Sequence, residues 1–354
     1  YKSISTGECR KVLIAKALML NPELLILDEP FGGLDIKSRE EISGLIDHLI
    51  EQGIQILLFD FYNNSLPPAI DYLVYLTDGQ ILLEGNRKQI TESDRWKQLT
   101  DKQIQLPHHL PDCIQYKSLD PDCPFVQAVD LEVAYEGKTV FKNLNWTFKP
   151  GEHWKISGPN GSGKSTLLTM ISGDNPKAYG KDLTLFGIKR GSGESIWDIK
   201  RHYGIISSQL HRDYRVSASL LEVVISGFYD SIGLYDKPTP TQQRVGEEWL
   251  TLLGMKGREN TPFLGLSFGE QRQVLIARAM VKLPLILLLD EPCLGLDNHN
   301  RAQVLALVDY IASHSQTHIL FVSHDYRDEL KCLNHSLEFE YKQDCYQAVI
   351  TQIV

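Results

Sequence analysis

Apolar residues fall in short blocks along the chain, and the period of the blocks changes as they follow one another. "LEVAY" (131–135), "TVFKNLNWTF" (139–148) and "GEHWKISG" (151–158) have the length and β-rich composition of strands. A helix-compatible stretch follows from Lys164 to about Ser172, then strands at "DLTLFG" (182–187) and "YGIISS" (203–208). Helical spacing returns through 218–228, through 241–253 and from "LSFGEQRQVLIARAM" (266–280). "LILLLD" (285–290), the longest apolar run, and "HILFVS" (318–323) read as buried strands. Strands alternating with helices predict an α/β fold: a largely parallel core sheet with helices on both faces.

The pattern is also written twice. "ISTGECRKVLIAKALMLNPELLILDEPFGGLD" (4–35) and "LSFGEQRQVLIARAMVKLPLILLLDEPCLGLD" (266–297) agree at 18 of 32 positions without a gap. Ser5 and Ser267, Asp28 and Asp290, and Asp35 and Asp297 are each 262 positions apart, so two copies of one fold are expected. The second copy has an upstream half from about Ala128; the first lacks its equivalent. Residues 1–86 then read as the tail of one domain, 87–127 as a connecting stretch and 128–354 as a whole domain. Residue 1 is Tyr rather than Met, and further sequence is expected before it. The connecting stretch carries the breakers "LPHHLPD" and "DPDCPF", a short candidate helix in "SDRWKQLTDKQIQL", and six residues of each charge. His108 and His109 lie there without a second ligand cluster, which reads as a solvated pair rather than a metal site.

Composition narrows the function. A formal charge of −9 argues against nucleic acid as main partner, because phosphate backbones need a basic surface. No run approaches the ~20 apolar residues that span a bilayer. The six cysteines show no C-x-x-C spacing, which points to a reduced, cytoplasmic setting.

The chemistry is concentrated in "GPNGSGKST": Gly158, Pro159, Asn160, Gly161, Ser162, Gly163, Lys164, Ser165 and Thr166. It follows an apolar strand and opens a helix, the context in which G-x-x-x-x-G-K-[ST] cradles phosphates. Glycines let backbone N–H groups curl round an anion; Lys164 should reach the β- and γ-phosphates of ATP, and Ser165 should touch Mg²⁺. "LILLLDEP" ends in Asp290, suited to Mg²⁺, and Glu291, suited to polarising an attacking water.

"LSFGEQ" and "ISTGEC", each 23 residues before a strand-ending Asp-Glu pair, resemble the signature motif of ABC-type ATPases. "LGLD" (294–297) and "VSHD" with His324 resemble that family's D-loop and switch histidine. The resemblance covers essentially the whole chain. It implies an antiparallel β subdomain and a helical subdomain around the P-loop core, with tandem copies of which the first is incomplete. It also implies ATP hydrolysis with Mg²⁺, and places Tyr135 where an aromatic stacks on adenine; an ordinary strand tyrosine would look the same.

The family's head-to-tail pairing implies that Ser5, Gly7 and Glu8 complete the site on the 158–166 loop, while Ser267, Gly269 and Glu270 face the first copy's own loop. Asp35 and Asp297 would be the D-loop aspartates. At that other site Asp28 and Glu29 are kept, but Phe61 aligns with His324 and cannot hydrogen-bond a phosphate. One hydrolytic site and one weak site are expected. The sequence departs from the family at Thr6 and Phe268 (usually Gly), at Glu8 and Glu270 (usually Gln), and at the Q-loop, where Ser208 aligns and Gln209 falls one place late.

"RGSGESIWDIK" (190–200) reads as a Gly-rich connection into a helix. With "HRDYRVS" and "DSIGLY", it also resembles tandem ABC proteins of molybdenum (molybdate) transport. That implies an inner-membrane permease as partner and a place on the membrane's cytoplasmic face. The competing readings are a soluble ABC ATPase acting on ribosomes or damaged nucleic acid, and a low-turnover nucleotide sensor. The neutral connecting stretch argues against the first; Glu291 and His324 argue against the second.

Overall fold

The computed structural model describes residues 6–31, 34, 36–60, 66–77, 79–96, 109–111, 122–135, 137–325, 327–342 and 344–353. Its contacts divide the chain into two compact units: Tyr1–Gln105 with Leu294–Gln303, and Leu106–Cys293 with Val304–Val354.

The first unit runs α1 (Thr6–Leu18), β1 (Leu24–Asp28), α2 (Ile36–Glu51), β2 (Gln55–Phe59), then the hairpin β3 (Tyr72–Thr77)–β4 (Gln80–Asn86) and α3 (Arg87–Glu92). β1 and β2 pair in parallel, with Asp28 beside Phe59. Ile14, Leu25, Leu27, Phe31, Ile42 and Ile46 form its core. Only alternate residues of β1 are buried; Leu24 and Ile26 on the other face are 49% and 58% exposed. The stretch expected to connect the copies begins with structure: the Asn86 side chain caps α3, and Trp96 packs edge-on against Tyr75 at 5.5 Å. His109 is exposed, His108 lies outside the described residues, and no cluster of three metal-ligating side chains occurs among the described ones.

The second unit is organised on a ten-stranded sheet. β10 (Tyr203–Ser207), β11 (Ile286–Asp290), β12 (His318–Val322), β7 (Trp154–Ser157) and β13 (His335–Lys342) lie side by side and parallel. β14 (Cys345–Gln352) turns back on β13 and meets β6 (Lys138–Phe148) in parallel, and from β6 the order β5 (Val126–Tyr135), β8 (Leu183–Leu185), β9 (Ile188–Lys189) is antiparallel. The parallel core and antiparallel flank are those expected.

Helices α4 (Lys164–Ile171), α5 (Ile196–Lys200), α6 (Ser208–Asp213), α7 (Leu220–Ile225), α8 (Pro240–Leu252), α9 (Phe268–Met280) and α10 (Asn298–His314) complete the described order. Residues Ile286–Leu289 of β11 are all buried, because a strand lies on each side of it and the core covers its faces. Burial of one such leucine is worth ~1.5–3 kcal/mol.

Helix starts follow the sequence closely. Ser219–Glu222, Thr239–Gln242 (with Pro240 in the first turn) and Ser267–Glu270 are all reciprocal capping boxes, which satisfy backbone donors that a helix leaves unpaired. "RGSGES" gains a structural reason. Arg190 and Glu194 form a buried ion pair, and Glu194 also accepts from the Gly191 N–H, closing the glycine turn ahead of α5.

Candidate nucleotide site

β7 delivers the chain into the 158–166 loop, and three glycines there take left-handed backbone: Gly158 (φ 140°), Gly161 (φ 79°) and Gly163 (φ 99°). Two of them are also steric requirements. A Cβ on Gly158 would lie 2.8 Å from Cβ of Phe339, and one on Gly163 only 2.6 Å from the Phe141 ring. Gly163 is the residue before α4 and has no side chain to cap it. Lys164 is buried and folds back, Nζ donating to the carbonyls of Gly158 (2.8 Å) and Pro159 (2.7 Å). Ser162 Oγ is buried with no hydrogen-bond partner among the described residues, while Ser165 is exposed and Thr166 half-buried. An orphaned hydroxyl, Cβ-free turns and an uncapped helix start fit a group that brings acceptors of its own.

The acidic pair ends β11. Asp290 is half-buried, and burial first, then Glu291, pushes its pKa up to about 6 against the opposing fields of His324 and Lys164. A carboxylate in that position gains from a cation, and the Ser165 hydroxyl with Asp290 is the hard oxygen set that Mg²⁺ prefers. Glu291 takes left-handed backbone (φ 50°), a strained state for a residue with a side chain. Its N–H donates to Val322 O (2.9 Å), and its carbonyl accepts from Ser208 Oγ (3.3 Å). Its carboxylate Oε1 meets His324 Nε2 at 3.0 Å. Glu291 is thus held by β12, by α6 and by His324. Of the two residues at the expected Q-loop position, Ser208 turns to this pair and Gln209 is exposed.

Tyr135 ends β5 and is 41% exposed. Its hydroxyl accepts from Asn175 Nδ2 (3.2 Å), and the Lys177 ammonium sits 4.7 Å from the ring centroid.

In the signature of the second unit, Ser267 Oγ and Glu270 close the capping box, and Arg258 donates to Glu270 at 2.8 Å. Gly269 is buried. Phe268 stacks on His211 (4.1 Å, 12° between planes), and His211 Nε2 meets Gln271 Oε1 at 2.7 Å. Burial holds His211 below the usual histidine range. On α9 the Arg272 guanidinium lies fully buried, 5.5 Å from the Phe268 ring. The aromatic in place of the family's glycine therefore has neighbours shaped to it. Sequence reading missed His211, Arg272 and Asn175. For Asn175 a signal existed, since Asn-Pro after a helix marks a turn.

Asp297 accepts from the N–H and Nδ2 of Asn300 at 2.7 and 2.8 Å, anchoring the start of α10. In the first unit, Gly7 is buried so closely that a Cβ would lie 2.8 Å from Ser38 Oγ, and Glu8 is exposed. Asp28 is exposed, and Glu29 repeats the left-handed turn (φ 45°) with its N–H on Phe59 O (2.9 Å). Ser5, Asp35 and Phe61 lie outside the described residues.

With this geometry in hand, comparison with known proteins is specific. The ABC transporter family pattern matches residues 1–32 and 141–294. The chain is 42% identical to the ABC transporter ATP-binding protein ModF of Escherichia coli K12, over all of this chain and 73% of that protein. It is 30% identical to an uncharacterised ABC transporter ATP-binding protein of Schizosaccharomyces pombe, over 94% of this chain and 67% of that one. Among solved structures it resembles the archaeal ribosome recycling factor aABCE1, seen in complex with the stalk protein aP1 (TM-score 0.62, 22% identity, 98% of this chain, 64% of that one). It also resembles cbiO1 of Clostridium perfringens, part of the transporter complex cbiONQ (TM-score 0.55, 23% identity, 65% and 88%). Both structures share the fold.

Proposed function

The chain belongs to the ABC transporter ATP-binding family, whose members hydrolyse ATP, and on that premise we propose how its residues divide the work. Gly158 to Gly163 present backbone N–H groups to the phosphates of ATP, and Lys164 exchanges its two loop carbonyls for β- and γ-oxygens. Ser165 and Asp290 would hold Mg²⁺, which neutralises charge on the transferring phosphoryl group. Glu291 polarises the attacking water, and His324 fixes the Glu291 carboxylate and reaches the terminal phosphate. Tyr135 stacks on the base, and Thr166 continues the cradle into α4.

The observation that carries this reading is the 3.0 Å His324–Glu291 contact at the end of β11, whose neighbouring Asp290 feels the charge of Lys164. ATPase and nucleotide-binding assays on full-length protein test it. Lys164→Ala should lose affinity for ATP, and Glu291→Gln should keep affinity while losing turnover. Wild-type turnover in Glu291→Gln would reject the assignment.

The repeat supports a further step: head-to-tail pairing in which Ser5, Gly7 and Glu8 complete this site. Ser267, Gly269 and Glu270 would serve the first copy's loop, with Asp35 and Asp297 as D-loop residues. The site with Asp28, Glu29 and Phe61 would turn over slowly. On the resemblance to tandem molybdate-transport proteins, ATP-driven closure would energise an inner-membrane permease from its cytoplasmic face. No helix of the described residues is long and apolar enough to cross a membrane. Identifying what co-purifies with the ATP-trapped Glu291→Gln protein decides between a permease and a ribosome.

A further inference from the structure

Asn175 is a hub that the nucleotide chemistry above does not use. Its two Nδ2 hydrogens go to different elements: one to Tyr135 Oη at the end of β5 (3.2 Å), the other to Thr169 Oγ1 on α4 (3.1 Å). Its Oδ1 accepts from the Lys177 N–H (3.0 Å), fixing the start of the short helical turn Pro176–Ala178. That turn puts the Lys177 ammonium 4.7 Å from the Tyr135 ring centroid. Thr169 stands five residues after Lys164 on the same helix, and Thr169 Oγ1 is itself tied to the Thr166 carbonyl (2.9 Å). One amide therefore links an exposed aromatic ring to the helix that carries the phosphate cradle.

We propose that Asn175 is a positioning residue for the base of the bound nucleotide: it sets Tyr135's ring at a fixed height over the phosphate loop, with Lys177 on one face and the other left for the purine. The proposal rests on the reading that the 158–166 loop binds ATP. A tyrosine at a strand end is free to turn about its side-chain bonds. A ring whose hydroxyl is tethered has lost that freedom before the ligand arrives, and stacking on it costs less ordering entropy. The cation on one face adds a cation–π contact that biases the ring toward the same orientation. Because the tether runs to α4 rather than to another loop, base and phosphate subsites keep their spacing.

Equilibrium binding with two probes, Mg²⁺–ATP and Mg²⁺–tripolyphosphate, separates the base subsite from the phosphate subsite. Asn175→Ala should weaken ATP about three- to tenfold, the scale of one stacked aromatic contact, and leave tripolyphosphate within twofold. Tyr135→Phe, which keeps the ring and removes the tether's acceptor, should reproduce that loss. The double variant should be no weaker than Asn175→Ala alone, since the bond that Tyr135→Phe removes is already gone in it. Unchanged ATP affinity in Asn175→Ala, equal losses for both probes, or additive losses in the double variant would each overturn the proposal. If wild-type protein binds tripolyphosphate but gains nothing from the base, the base subsite fails while the phosphate cradle stands. If it binds neither, the nucleotide reading itself fails.

Discussion

β1 and β11 are one strand in two settings, "LLILD" and "ILLLD". Each pairs in parallel with the next strand of its own copy in the same register: Leu24 with Gln55 and Asp28 with Phe59, Ile286 with His318 and Asp290 with Val322. Each ends in a left-handed glutamate whose N–H caps the neighbouring strand at 2.9 Å. So the strained acidic turn needs only the local sequence and one partner strand. What differs is the surroundings. β11 has β10 on its other edge, β12 has β7, and the strand is covered throughout; β1 has one neighbour among the described residues and buries every second side chain. Burial and charge then act on Asp290, whose pKa is raised to about 6, and His324 closes on Glu291.

The largest expected effect contrasts the two glutamates. Glu291→Gln should lower ATP turnover by roughly 10²- to 10⁴-fold, the usual worth of a positioned general base. Glu29→Gln should change it less than about twofold, since the aligned histidine is replaced by Phe61. Equal losses in steady-state assays would erase the distinction between the copies.

Next comes packing. Ile26 and Leu288 occupy equivalent positions, one 58% exposed and the other 2%. Leu288→Ala should cost ~2–5 kcal/mol of unfolding free energy, the transfer loss plus a cavity. Ile26→Ala should stay within ~0.5 kcal/mol. Denaturant melts of residues 1–354 check this. A large loss at Ile26 would mean that its face is covered by polypeptide in the folded protein, and would sharpen the comparison by measuring that cover.

What could be read beforehand follows the same division. Strand periods, the phosphate loop and both acidic pairs are properties of ten or fewer neighbouring residues, and they were legible. The Arg190–Glu194 clamp lies within that range too, yet a buried pair and an exposed one look alike in sequence. Asn175 with Tyr135 and His211 with Phe268 join residues far apart in the chain, and no period marks them. Phe268 read only as a departure from the family's usual glycine, because its histidine neighbour lies 57 positions away. Which Q-loop residue faces Glu291 needed coordinates as well, for Ser208 and Gln209 adjoin at the start of α6 and only one turns inward.

Acid should act on the second unit through its buried histidines. Burial, then the neighbouring His318, holds His153 down to about 4; burial, then Arg201 and Lys282, does the same for His202. His153 Nδ1 accepts from the Ile319 N–H at 3.0 Å, so a proton there also breaks a bond to β12. The sign is fixed by linkage. These groups are neutral in both states above the ordinary value of 6.5; below it the unfolded chain takes up protons that the fold refuses. Stability should therefore fall as pH drops from about 6.5 toward 4, with His153→Gln flattening part of the slope. A melting temperature flat across that window would show that these rings are solvated.

The smallest effect concerns the signature glutamate. Glu270 stands where the family usually has Gln, and the structure gives it two tasks: it accepts from the Ser267 N–H (3.0 Å) and hydroxyl (2.8 Å), and it pairs with Arg258. Gln can perform the first, because a capping box needs only an acceptor at the third helical position. It forfeits the second, but that pair is partly solvated, where ion pairs contribute ~0.2–1 kcal/mol. Glu270→Gln should thus cost under ~1 kcal/mol, and added salt should shrink the difference between the two proteins. Ser267→Ala removes the cap itself, so ~1 kcal/mol should be lost whatever the salt. In the first copy Glu8 keeps the same spacing from Ser5, so Glu8→Gln makes a matched test. If it behaves like Glu270→Gln under both salt conditions, the glutamate serves the helix in each copy. If only the second copy responds to salt, Arg258 accounts for the difference.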